Sequence, residues 1–184
     1  RIEDPRAVHL LEDARSKIQT MAFIHSRLYR SRRFDRIDMK AHIKELVNYL
    51  QHLLSAGKKV TSHLEVSPVM LPLNQALPCA LVINELVSNA YKHAFSSRKP
   101  GTLEIIMEKT AGDTAQIIVR DDGIGVQKDF DIQKAETLGL KLVRNLVEKQ
   151  LRGSLQMSRR GCTEFIVRFP IEHMEDSNAE NHDR

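Results

Sequence analysis

Asn84-Glu85-Leu86-Val87-Ser88-Asn89-Ala90-Tyr91-Lys92-His93-Ala94-Phe95 forms the second half of a helix that the pattern predicts over residues 74–95. Glu85, Asn89, Lys92 and His93 stand at i, i+4, i+7 and i+8, which places a carboxylate, an amide and a cation on one side of a helix. Ile83, Val87, Ala90 and Ala94 supply the apolar side. Asn74 is the expected N-cap. Pro78 is tolerated near the start because first-turn N–H groups have no helical partner to lose. Taken by itself, the polar side also reads as a solvated face with a Glu85–Asn89 or Glu85–Lys92 contact.

Three glycine-bearing segments lie downstream. Leu103, Ile105 and Met107 alternate, as do Ala115, Ile117 and Val119, so two strands are expected, joined by a hairpin at Ala111-Gly112-Asp113. The second strand runs into Asp121-Asp122-Gly123-Ile124-Gly125. Glycines there let backbone approach a ligand closely, and a carboxylate at a strand end suits an exocyclic amine donor, although Asp/Gly clusters also end strands as plain turns. An aperiodic stretch over 126–137 leads to Thr137-Leu138-Gly139-Leu140-Lys141-Leu142-Val143, where Gly139 opens a helix reaching about residue 150. Free N–H groups at such a start hold phosphate oxygens well. Strands are expected near 154–158 and 163–169, joined around Arg160-Gly161. Gly161-Cys162-Thr163 opens the last of them, or is simply its hairpin turn.

Upstream, Asp4-Pro5 begins a helix in which Ala7, Leu11, Ala14, Ile18, Met21, His25 and Leu28 recur at alternating steps of four and three. A seam of that kind needs partner helices. A loop over 30–37 follows, then a helix capped by Asp38 with Ile43, Leu46, Val47, Leu50 and Leu54 on one face and Gly57 at its end. Residues 60–66 alternate as a strand, and 68–72 read as a connection. Residues 173–184 are polar and expected to be disordered.

Composition narrows the function classes. With 41% hydrophobic and 28% charged residues among 184, the chain fills one core with a helical appendage. Its apolar runs fall far short of the roughly 20 residues that span a bilayer, so no membrane segment is expected. The opening residues carry no signal-peptide core, and a start without Met suggests a fragment. Cys79 and Cys162 stand apart, which speaks against a disulfide framework or zinc site and for a reducing, cytoplasmic setting. The net charge is +4, with five arginines between Arg27 and Arg36. That run reads as a solvated helix end, or as attraction for an acidic partner; without a binding motif or stacking aromatics, nucleic acid is not expected.

In this order and at these separations, the four segments resemble the N box and three glycine boxes of the ATPase superfamily shared by gyrase, heat-shock chaperones, histidine kinases and mismatch-repair proteins. Residues 84–95 look most like the histidine kinase branch whose N box reads NELxxNAxKHAF, and Met21-Ala22-Phe23-Ile24-His25-Ser26-Arg27-Leu28-Tyr29 is similar to that branch's second dimerisation helix. The resemblance covers about residues 4–170. It implies an α+β fold: a two-layer α/β sandwich with a mixed sheet covered by helices, preceded by a dimerisation helix. It also implies three parts, with a bundle helix and linker over 1–36, an ATP-binding catalytic domain over 37–172 and a tail over 173–184.

The implied roles fall on particular residues. Asn89 would hold the Mg²⁺ that bridges the triphosphate of ATP, and Glu85 would polarise the attacking group or a water. Lys92 and His93 would lie beside phosphate oxygens. Asp121 would accept from the adenine amino group, supported by Thr163, with Gly123 and Gly125 shaping the pocket floor. Gly139 and Leu140 would end a lid formed by 126–138. Thr137 stands where many relatives have a second glycine, which stiffens the hinge. None of His9, His25, His42, His52, His63, His93, His173 or His182 has the setting of the phosphoacceptor, which in this branch lies on the preceding helix; His25 reads as a packed bundle histidine. The implied function is γ-phosphoryl transfer from ATP to that upstream histidine, with a response regulator receiver domain as partner and a homodimer through the N-terminal helix. Alternatives are a nucleotide-gated interaction module, or a kinase or ATPase of the superfamily acting on another acceptor.

Overall fold

A computed structural model describes residues 36–55, 57, 59–95, 100–126, 130–135, 137–159 and 161–172, with Ile18, Met21, Ala22, Ile24 and Ser26 as isolated helical positions. The rest of the seam with His25, most of the loop over 30–37 and the tail over 173–184 lie outside the described residues. In chain order the elements are β1 (Arg36–Asp38), α1 (Met39–Leu54), β2 (Val60–Val66), β3 (Met70–Pro72), α2 (Leu73–Asn89) with a π-helical turn (Ala90–Ala94), β4 (Gly101–Thr110) and β5 (Thr114–Asp121). A 3₁₀ turn (Ile132–Lys134), α3 (Leu138–Asn145) with a π-helical turn (Leu146–Gln150), β6 (Ser154–Ser158) and β7 (Thr163–Pro170) complete them.

Five strands form one sheet in the order β2-β4-β5-β7-β6. β2 is parallel to β4 and the other neighbours are antiparallel, so the sheet is mixed. Period-two alternation sends Leu103, Ile105, Met107, Ala115, Ile117, Val119, Phe165, Val167 and Phe169 to one buried face. On the other, Arg120 bridges Glu104 and Glu164 on its two neighbouring strands. The helices close the buried face: Ile43, Leu46, Val47 and Leu50 of α1, Ala80, Ile83 and Val87 of α2, and Val143 with Val147 of α3 and its extension join one core. Each large apolar side chain so buried contributes about 1.5–3 kcal/mol relative to exposure. The two-layer α+β sandwich is thus the fold observed. Cys79 lies wholly inside it, where burial pushes its thiol far up, and neither cysteine is in a disulfide.

The expected cap of α1 is present, with Lys40 N–H donating to Asp38 Oδ1 at 2.9 Å. Other local expectations are corrected. The connection expected over 68–72 and the end of the loop over 30–37 are paired: Met70–Pro72 and Arg36–Asp38 form a small antiparallel sheet. Asn74 does not cap α2. The N-cap is Pro72, with no side-chain cap bond, and Asn74 Nδ2 donates instead to Glu172 Oε2 at 2.7 Å. Pro78 therefore lies beyond the first turn, buried, and forgoes a bond to the carbonyl four residues earlier.

A polar clasp ties Arg36 of β1 and the segment after β7 to that helix start. Gln75, 1% exposed, donates to the Pro170 carbonyl at 2.8 Å and accepts the Glu172 N–H at 3.0 Å. Arg36 reaches the Glu172 carbonyl at 2.9 Å.

Candidate functional site

Asp121 ends β5 on the buried face of the sheet, 6% exposed. Strand pairing sets Thr163 opposite it on β7, and the Thr163 hydroxyl hydrogen-bonds to its carboxylate. Gly123 N–H donates to Asp121 Oδ1 at 3.1 Å. Burial pushes the Asp121 carboxyl up to about 6, against the Gly123 N–H, which lowers it; the neighbouring Asp122 charge raises it further and the Thr163 hydroxyl lowers it. The result is an acceptor held in fixed orientation that loses its proton only as pH rises through about 6.

The loop after β5 is fastened to the end of the α2 helix. Ile124 N–H donates to the Ala94 carbonyl at 3.0 Å, giving a partner to one of the helix's terminal acceptors. Gly123 packs so tightly against Ala94 that a Cβ there would overlap its carbonyl oxygen and Cβ. Gly125 has φ +75°, a left-handed conformation that favours glycine. Phe95 closes the corner, its ring lying against Gly101 where a Cβ would meet it at 2.5 Å.

The expected polar face of α2 is only partly realised. Glu85 is 3% exposed and Asn89 half-buried. Beyond Asn89 the helix widens into the π-helical turn, so angular arithmetic based on 3.6 residues per turn no longer applies. Lys92 is half-buried there and His93 exposed. Gly139 and Leu140 lie in the first turn of α3, whose N-cap position is Thr137 without a side-chain cap bond. The segment expected to be aperiodic carries structure of its own: Asp131 caps the 3₁₀ turn by accepting Gln133 N–H at 2.9 Å, and Ile132 and Ala135 are buried. Residues 127–129 and 136 of that segment lie outside the described residues.

The structure thus places Asp121, Gly123 and Thr163 together and joins them through Ala94 to the helix carrying Glu85 and Asn89. Sequence reasoning missed Ala94, whose role is a backbone carbonyl, and Thr102, which contacts Asp122 through its amide. A backbone contact leaves no side-chain signature.

Among the described residues no group of three or more His, Cys, Asp or Glu side chains is placed to hold a metal ion, and no helix is long and apolar enough to cross a membrane.

Residues 74–173 match the family described as histidine kinase-, DNA gyrase B- and HSP90-like ATPase, and residues 1–54 match one described as histidine kinase. A sensor histidine kinase of Mycobacterium tuberculosis, PdtaS, is 30% identical over 169 residues, covering 88% of this chain and 32% of that protein. Blue-light-activated histidine kinase 2 of Erythrobacter litoralis is 29% identical over 135 residues, 73% of this chain and 38% of that one. The chain therefore spans about a third of the length of these relatives. In fold, it superposes on the histidine kinase domain of the Erythrobacter litoralis blue-light-activated kinase EL346 with a TM-score of 0.76, at 24% identity, covering 84% of this chain and 75% of that one. The chain belongs to the histidine kinase-, DNA gyrase B- and HSP90-like ATPase family, as a histidine kinase ATPase domain.

Proposed function

We propose that residues 37–172 bind Mg-ATP and transfer its γ-phosphoryl group to a histidine on a helix preceding residue 1, as the catalytic part of a two-component sensor kinase. The observation that carries this reading is the buried Asp121 carboxylate, oriented by Gly123 and Thr163 and fastened through the Ile124–Ala94 bond to the helix of Glu85 and Asn89. A carboxylate so held suits the adenine amino group, an obligate donor. Asn89 suits Mg²⁺: one neutral amide oxygen and the nucleotide's phosphates would make an all-oxygen set that leaves room for waters. Bound there, the ion neutralises charge on the transferring group.

Lys92 contributes positive charge and His93 an imidazole N–H towards phosphate oxygens, and the first turn of α3 at Gly139 and Leu140 presents backbone N–H groups to them. Glu85 accepts the proton of the attacking group or orients it. The acceptor nitrogen attacks phosphorus, the bond to the β–γ bridging oxygen breaks, and ADP leaves. A receiver domain then takes the phosphoryl group, and the seam helix over residues 4–30 pairs two copies in the cytoplasm.

Calorimetric titration with ATP, with and without magnesium, tests the reading. Saturable binding that tightens with magnesium is expected, and absence of binding in both would end it.

A further inference from the structure

The last rung between β4 and β5 is closed in an unusual way. The register pairs Leu103 with Asp121, so the next pair outward is Thr102 with Asp122. Asp122 N–H donates to the Thr102 carbonyl at 3.2 Å, which makes this a hydrogen-bonded pair of the antiparallel type. In such a pair the return bond runs from Thr102 N–H to the backbone carbonyl of Asp122. Here it runs to the side chain instead, with Thr102 N–H donating to Asp122 Oδ1 at 2.6 Å. The carboxylate thus takes the place of its residue's own carbonyl. The peptide plane after Asp122 is released from the sheet, and the chain turns at Gly123 towards Ala94, where the tight glycine contact and the Ile124 N–H bond fasten it.

We propose that Asp122 is a positioning residue for nucleotide recognition: its side chain completes the β4–β5 ladder so that the backbone leaves the sheet one residue after Asp121. That departure delivers Gly123 N–H to Asp121 Oδ1 and the loop to the end of the α2 helix. Any acceptor of the same reach performs the task; the negative charge is not required. The proposal rests on the reading of Asp121 as the adenine acceptor.

The test compares Asp122→Ala with Asp122→Asn in the full chain, measuring ATP affinity by calorimetry and exchange of the Thr102 amide by NMR. Asp122→Ala is expected to weaken ATP binding by about fivefold or more and to speed Thr102 exchange, because one charge-assisted bond is lost. Asp122→Asn keeps an acceptor oxygen and is expected to restore both. A general loss of stability is read separately by thermal melting, and it would not be repaired by Asn in affinity and exchange together. Equal ATP affinity in Ala and Asn variants overturns the proposal, as does unchanged affinity in both. ATP binding that is insensitive to Asp121→Asn overturns the adenine reading and the proposal with it, and Thr102 exchange then shows whether the clamp itself exists.

Discussion

Asp121 illustrates a conflict between stability and binding. Its carboxyl titrates near 6 in the folded protein against about 4 in an unfolded chain. Between those values the native state holds the extra proton, so this group's contribution to stability is greatest below pH 4 and is lost as pH rises through 6. Asp121→Asn removes the buried charge. The variant should be more stable than the parent at pH 7.5 by an amount on the order of 1–3 kcal/mol, read by denaturant unfolding. It should also bind ATP roughly tenfold or more weakly, because a charged acceptor is lost. Parent affinity should decline as pH falls below about 6 and level off above 7. Affinity that is flat from pH 5 to 8 would remove Asp121 from the adenine contact.

At the scale of the element, the proposed function puts the phosphate side of the site on α2 and its π-helical turn. Asn89→Ala should abolish the magnesium dependence of nucleotide binding, since the amide oxygen suits a hard cation. Glu85→Gln should leave affinity nearly unchanged and slow phosphotransfer by about a hundredfold, the loss typical of a proton-handling group. A calorimetric series with and without magnesium checks the first, and single-turnover kinetics check the second. Gly123→Ala tests the fastening of this helix to the loop: with Ala94 already in contact, an added methyl forces the two apart. An overpacking cost of about 1–3 kcal/mol and weaker nucleotide binding are expected, measured by thermal melting and titration.

For the whole molecule, the described residues of the seam are informative. Ile18 is 67% exposed and Met21 37%, whereas Ile24, off the seam, is fully buried. Apolar side chains left in water on one stripe of a helix favour a second copy. Sedimentation should find a dimer that a chain beginning at Arg36 does not form. Transfer needs an acceptor nitrogen held in line at about 3–3.5 Å, and the family resemblance gives none of this chain's histidines the phosphoacceptor setting. The isolated chain incubated with labelled ATP should therefore acquire no acid-labile phosphate, and extension by the preceding helix should restore it. Label on the isolated chain that disappears with His25→Gln would identify His25 as the acceptor.

Much of this architecture was legible without coordinates, because it rests on local periodicity. Alternation at 103–107 and 115–119 sufficed for the hairpin, the apolar steps from Ile43 to Leu50 for a helix, and Asp38 for its cap. The Asp-Gly cluster after the second strand pointed to Asp121 and Gly123, and the family resemblance added Thr163; the fold brings the three together. What the sequence could not reveal depends on partners far along the chain. Asn74 has the chemistry of a cap, yet Glu172, 98 positions away, claims its side chain. Residues 70–72 have no strand pattern of their own and became a strand because Arg36–Asp38 lies beside them. The π-helical turn that ends the regular spacing of the α2 face, the burial that raises Asp121, and the exchange of a carbonyl for a carboxylate at Asp122 are likewise decided by tertiary packing. Periodicity and capping are energies between near neighbours in sequence, so residue order determines them. Burial and long-range hydrogen bonds exist only once distant segments have met.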